Sequence, residues 1–191
     1  MKLKNFVLSI LFLIALDQTI IIIINAYFLD ARFYILYPIL EFWPYWNTKY
    51  SGVNDWLYWK WNIDLGIWLH LILNLLFLLV MTILYSFFRN IRNVLRSTKL
   101  LDISFILGIS GMICLFISNY FWKNGCLDYI GLIPLFVFDL KDFYLFCFSI
   151  LFFLFFLKNK TIIEPLDRKI TEQLKNRIRF LKPRNNKDAS I

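Results

Sequence analysis

The chain has 191 residues, 60% of them hydrophobic and 20% aromatic, with a mean hydropathy of +0.62 and a formal net charge of +8. Ordinary soluble domains use about 45–50% apolar residues, so this composition excludes a plain water-soluble domain, and the length goes into spans with no second folded domain beside them. Three scattered cysteines and a single histidine argue against a disulfide framework and against a metal-ligand cluster.

Four long apolar blocks read as transmembrane helices, which need about 20 such residues. The first runs from Phe6 to Ile24 and is broken by Asp17, Gln18 and Thr19. Lys2 and Lys4 precede it as in a signal peptide. The Asp-Gln interruption and the lack of a small-x-small site favour an uncleaved span. Residues 25–64 then form a long outer loop dense in Trp and Tyr, including Trp43, Tyr45, Trp46, Trp56, Trp59 and Trp61. Such rings suit the membrane–water interface. Either an aromatic belt or a substrate platform fits, and short alternating pieces offer a weak strand signal.

The second span covers Leu65–Phe88, with His70 and Asn74 on one face of its outer half. Interhelical hydrogen bonding is the reading preferred over a substrate-lining role. The third covers Ile103–Trp122, where Gly108 and Gly111 flank Ser110 and permit close helix packing. Residues 129–139 read as a loop at the membrane surface, because Pro134, Asp139 and Asp142 interrupt a continuous helix. The fourth span begins near Leu140 and ends at Leu157, taking Lys141 and Asp142 inside. Leu166, Ile170, Leu174, Ile178 and Leu181 then recur at helical spacing between Pro165 and Pro183. A basic amphipathic helix on the inner leaflet accounts for that stripe, with a solvated charged tail as the alternative. The expected architecture is an all-α membrane protein with four transmembrane helices and a small extracytoplasmic loop or β element. Residues 1–157 form the membrane domain and 158–191 a basic tail carrying the amphipathic helix.

Sixteen of the 21 basic residues fall before the first span, between the second and third, or after the fourth. The positive-inside rule places those segments, and both termini, in the cytoplasm of a multi-pass cell-membrane protein. The charge is then explained by topology and an anionic inner leaflet, with no nucleic acid required.

Carboxylates inside a membrane are costly and mark function. Asp17 lies 13 residues beyond Lys4, roughly 20 Å along a helix axis. Asp142 lies 15 residues before Leu157, roughly 23 Å from the same face. Asp128 follows the third span by six residues. The three converge near the outer boundary of a hydrocarbon core of about 30 Å. Two neighbouring carboxylates share a proton. One then takes a proton from water while the other polarises a carbonyl, which is aspartic-protease chemistry.

The pattern of these residues resembles lipoprotein signal peptidase, or signal peptidase II. The family's Asp-Gln pair in its first span matches Asp17-Gln18. Its Asn, basic residue, Gly and Val-Val-Asp-Phe after the third span match Asn119, Lys123, Gly125 and Cys126-Leu127-Asp128-Tyr129. Its Pro and Phe-Asn-Leu-Ala-Asp before the fourth match Pro134 and Phe138-Asp139-Leu140-Lys141-Asp142. The resemblance implies a catalytic dyad of Asp128 and Asp142. It places Asp17, Asn119, Lys123 and Asp139 in support, with no cofactor and no metal. It also implies a monomer acting on prolipoprotein signal peptides, with membrane lipid as the other partner, cutting before a diacylglyceryl-modified Cys.

The departures are specific. Ile21 stands where the family has Lys, Lys123 replaces Arg, Asp139 replaces Asn, and Lys141 replaces Ala. Asn47 or Asn54 is the stand-in for the outer-loop Asn. A third carboxylate would raise the dyad's pKa further, and Lys141 or Lys123 would offset it. The alternative reading is a non-catalytic four-span paralogue acting as a lipid- or protein-binding membrane module.

Overall fold

The computed structural model describes residues 2–181 except 50, 94 and 123, with side chains assigned outside 52, 53, 55 and 163–181. Lys123, one of the expected supporting residues, therefore lies outside the described residues, as do Pro183 and the rest of 182–191.

Among the described residues four helices are long and apolar enough to cross a membrane, and the chain is a multi-pass membrane protein. Helix α1 (Leu3–Ile23) continues into a π-helical turn at Ile24–Phe28. Strands β1 (Phe33–Leu36) and β2 (Leu40–Asn47) follow, then the short helix α2 (Gly52–Trp61). Helices α3 (Gly66–Asn90) and α4 (Thr98–Phe121) precede strands β3 (Cys126–Leu132) and β4 (Phe136–Phe138). The last helix, α5, runs from Leu140 to Leu181.

Three elements differ from the sequence-based expectation. Residues 129–139 are not a surface loop. They contribute to β3 and β4 of an antiparallel four-stranded sheet ordered β1-β2-β3-β4. The alternation that would reveal β3 is absent because both of its faces are covered, so Cys126, Leu127, Asp128 and Tyr129 are all buried. The outer loop contains α2, which Ser51 caps by accepting a hydrogen bond from the Asn54 backbone N–H at 3.2 Å. Finally, the tail helix is not separate: α5 continues past Leu157, the expected end of the fourth span, and through Pro165 as one helix.

Helix α4 is the axis of the bundle and packs against α1, α3 and α5. Of its apolar stretch 56% is buried within the protein, against 11% for α3. Lipid is as apolar as a leucine side chain, so packing density holds such helices together. Phe105 on α4 is fully buried among Tyr85, Phe148 and Phe152, with ring centroids 5.2–5.8 Å apart. Gly108 admits α3 and α5 to that seam, since a Cβ there would lie 2.5 Å from Met81 Cε and 2.8 Å from the Phe148 ring. Met81 can swing aside, but the stacked Phe148 ring cannot. Gly108→Ala is expected to lower stability by about 1–3 kcal/mol, read as earlier unfolding in a denaturant titration in detergent.

The basic ends are tied by polar contacts. Asp102, buried one turn into α4, accepts from Tyr85 Oη at 3.0 Å and Arg92 at 3.1 Å. Asn159 on α5 accepts from the Arg96 backbone N–H at 2.7 Å and donates to its carbonyl at 2.9 Å. The Arg92 pair is why α4 begins at Thr98 and not at Ile103: with its charge compensated, Asp102 enters the helix.

At the opposite end the sheet sits on the helix tips. Leu127 and Tyr129 project from one face of β3 onto Ile21 and Ile24 of the first span. Successive residues of a strand alternate faces, so Asp128 points the other way.

Candidate active site

The site is assembled from the start of α5 upward. Asp139 precedes the helix and accepts the Asp142 backbone N–H at 3.1 Å, while Asp142 accepts the Asp139 backbone N–H at 3.4 Å. This reciprocal pair is a capping box, and two carboxylates at a helix N-terminus also complement its dipole. Local helix chemistry alone therefore holds Asp142 one turn from Asp139. The Leu140 backbone N–H donates to Tyr129 Oη at 3.2 Å, which locks the helix start to β3.

Strand pairing brings in the rest. Asp128 stands opposite Tyr45, and Cys126 opposite Asn47. Carboxylate oxygens of Asp128, Asp139 and Asp142 all lie within 4.8 Å of one another. Such spacing is compatible with a bound cation, and the chain supplies one itself. The Lys141 ammonium is buried among them, 3.3 Å from Asp128 Oδ1 and bonded to Asp139 Oδ2.

Burial pushes the Asp128 carboxyl up to about 6, against the opposing pull of the Lys141 charge. The Asp142 charge adds to the rise, and hydrogen bonds from Lys141 and Asn47 temper it. Asp139 is also raised, by burial first and then by its two carboxylate neighbours, with Lys141 again opposing. Burial pushes the Cys126 thiol up to about 12, so its nucleophilic thiolate form is suppressed at neutral pH. Its Sγ–H donates to Asn119 Oδ1 at 2.7 Å.

The sequence-predicted residues thus separate into two groups. Asp128, Asp139 and Asp142 meet at one point, and Asp128 and Asp142 line an open cleft of about 640 Å³. Asp17 and Asn119 lie behind it. Asp17 is fully buried and accepts from Gln18 at 2.9 Å, and Gln18 in turn accepts from Trp122 Nε1 at 3.0 Å. That relay fixes α1 to the end of α4. Of the two outer-loop candidates, Asn47 lines the cleft and hydrogen-bonds Asp128. Asn54 is fully buried elsewhere, bonded to the Lys49 carbonyl, Asp64 and the Leu65 backbone N–H.

The cleft's far wall is aromatic. Trp56 and Trp59 of α2 face Leu135, Phe136 and Phe138 near β4. His70 anchors this wall, accepting or donating at Ser51 Oγ (3.1 Å) and at the Gly66 carbonyl (2.9 Å). Since a carbonyl only accepts, His70 Nδ1 carries a hydrogen, and in the neutral ring Nε2 then accepts from Ser51. These two bonds of His70 run to the outer loop at Ser51 and to its own helix at Gly66. Two features went beyond the sequence reading: the seating of Lys141 between Asp128 and Asp139, and the cleft wall built by α2. The Asp-x-Lys-Asp spacing at a helix start and the Ser51-x-x-Asn54 cap were the available signals.

Asp64 secures the base of α2. It accepts from Asn54 Nδ2 at 3.0 Å, the Gly66 N–H at 3.0 Å and Lys49 Nζ at 3.1 Å, and these hold its carboxyl down at about 2. A depressed acid contributes stability above its unfolded value of 3.8 and loses it as pH falls toward 2. Acidification across that window is expected to loosen α2 and shift the emission of Trp56, Trp59 and Trp61. Asp64→Asn should show the loosened signal already at neutral pH.

The fold defines the class: a four-span membrane protein carrying a small sheet and a polar cleft at one end of the bundle. No family model and no curated protein matches the sequence. Among solved structures, two bacterial membrane enzymes determined in meso, at 1.9 Å and 2.3 Å resolution, share this fold. The first aligns with a TM-score of 0.60 at 17% identity, over 82% of this chain and 95% of its own. The second aligns with a TM-score of 0.57 at 15% identity, over 83% of this chain and 90% of its own.

Proposed function

We propose that the protein is an aspartic endopeptidase of the signal peptidase II type, cutting the signal peptides of diacylglyceryl-modified prolipoproteins just before the lipidated Cys. The observation that carries this reading is the meeting of Asp128 and Asp142, from strand and helix, on one cleft at a single end of the bundle. The fold shared with two bacterial membrane enzymes supports it. The described basic segments around Lys4, Arg89 to Lys99 and Lys158 lie toward the opposite end, and the positive-inside rule applied to them supports a cleft at the outer surface of the cell membrane with both termini cytoplasmic.

The chemistry follows from the geometry. A water between the carboxylates gives a proton to the ionised member and attacks the scissile carbonyl carbon. The protonated member gives its proton to the carbonyl oxygen. Collapse of the tetrahedral diol breaks the C–N bond, the first acid protonates the leaving nitrogen, and the diol returns a proton to the second. Both carboxyls end as they began, and no metal enters the cycle. The aromatic wall of Trp56, Trp59, Phe136 and Phe138 offers an apolar surface that suits an apolar peptide with acyl chains arriving laterally from lipid.

The test is cleavage of a diacylglyceryl-modified prolipoprotein by the purified protein in lipid. The expected product begins with the lipidated Cys, forms poorly from unlipidated substrate, and is blocked by globomycin, the inhibitor the resemblance implies. No cleavage over several signal sequences by a well-folded protein would overturn the reading. One observation favours a non-catalytic, lipid- or protein-binding module instead: an ammonium seated among the carboxylates is a stable arrangement without any substrate. Binding of lipidated peptide without turnover would distinguish it.

A further inference from the structure

Lys141 is the most deeply buried cation among the described residues, with its side chain 2% exposed. A buried ammonium is strongly unfavourable unless paired and hydrogen-bonded, so its partners reveal what it does. Around it stand Asp17 from α1, Cys114 from α4, Cys126 and Asp128 from β3, and Asp139 and Asp142 from the start of α5. Its two ion pairs go to Asp139 and Asp128. Pairing with Asp139 cancels the third negative charge that would otherwise oppose ionisation of the dyad. Contact with Asp128, and not with Asp142, makes the dyad unequal. A symmetric pair shares its proton with either member able to hold it. Here one oxygen of Asp128 lies in direct contact with the ammonium at 3.3 Å, while among the described residues the Asp142 carboxylate accepts a backbone N–H at 3.4 Å and meets the Lys141 charge from farther off.

We propose that Lys141 is a positioning residue that breaks the symmetry of the Asp128–Asp142 pair, holding Asp128 as its ionised member. Asp128 then receives the proton of the attacking water. The assignment of this role rests on the peptidase reading; the charge state of Asp128 does not.

Two measurements separate the claims. The first is a ¹³C NMR titration of carboxyl-labelled aspartate in detergent, with the Asp128 signal identified by its loss in Asp128→Asn. In Lys141→Met the Asp128 midpoint is expected to move up by roughly 1–3 pH units, whereas Lys141→Arg keeps it near the wild-type value. Lys141→Met leaves Asp139 buried without its partner and is at risk of misfolding. Asp139→Asn/Lys141→Met removes both charges and is expected to show the same direction of shift. The second is the pH profile of kcat/KM on lipidated substrate. The acidic limb should move with the NMR midpoint in Lys141→Met and stay in Lys141→Arg, with KM nearly unchanged. A merely structural lysine would lower activity at every pH and leave the limb in place.

An unchanged Asp128 midpoint in both Lys141→Met and the double variant overturns the proposal. A shifted midpoint in a protein that cleaves nothing upholds the charge assignment and overturns the peptidase reading.

Discussion

Asp128→Asn and Asp142→Asn are each expected to lower kcat/KM by about 10²–10⁴-fold, the usual contribution of a positioned acid or base, while leaving insertion and folding intact. Asn preserves the shape and the hydrogen-bonding capacity of each carboxyl but cannot take up or deliver a proton in this range. The two losses should not add. Once either member is gone the cycle is broken, so the double variant should be about as inactive as either single one. The pH dependence provides a second check. With the Asp128 carboxyl at about 6, its ionised fraction grows as pH rises through 6, and activity should rise with it. Protonation below that point removes the base, so activity falls on the acid side. An acidic limb near 4, the ordinary carboxylate range, would show that burial does not govern Asp128. Activity retained in Asp128→Asn would remove the dyad from the mechanism altogether.

The transmembrane architecture was legible because lipid imposes a coarse rule: each span needs an unbroken apolar run of a particular length. Its bounds were less legible, because a charge compensated locally enters a helix where an isolated one would end it. Asp102 with Arg92 extends the third span, and Lys141 with Asp139 allows the fourth to begin on charged residues. The sheet was nearly invisible. Its middle strand is covered on both faces, and β2 carries an irregularity between Phe42 and Tyr45 that interrupts its alternation. The candidate dyad was reachable in two ways, by depth along the helices and by family resemblance, because both depend on order along the chain. The place of Lys141 was not reachable so. Whether a lysine beside two aspartates turns to solvent or inward depends on what β3 lays over it, and that is a matter of strand register. The same holds for Asn47 and Asn54, seven residues apart in one loop, of which only Asn47 lies opposite Cys126 and near Asp128.

That register depends on one close backbone approach, and Gly125→Ala is expected to have the largest effect of any single methyl added to the described residues. Gly125 has φ +92°, a conformation with a steric cost for any side chain. A Cβ there would also lie 2.4 Å from the Asn47 carbonyl oxygen and 3.3 Å from Thr48 Cα. Both neighbours are backbone, so neither can rotate away as the end of a side chain would. Relief requires β2 and β3 to separate at the Asn47–Cys126 pair, two residues from Asp128. The backbone strain alone costs about 1–3 kcal/mol, and a displacement of about 1 Å in a catalytic group costs roughly 10²-fold in rate. Gly66→Ala separates these contributions. Gly66 has φ +71°, yet its added Cβ would meet nothing within 4 Å, so it carries the strain without the collision. Gly66→Ala should lose about 1–3 kcal/mol of stability and keep its activity, while Gly125→Ala should lose more stability and at least about 10²-fold in kcat/KM. Equal effects on activity in the two variants would mean that the Gly125–Asn47 approach does not set the position of Asp128. The strand pairing would then have to be held from its other end, where Glu41 faces Gly131 and is clasped by Arg32.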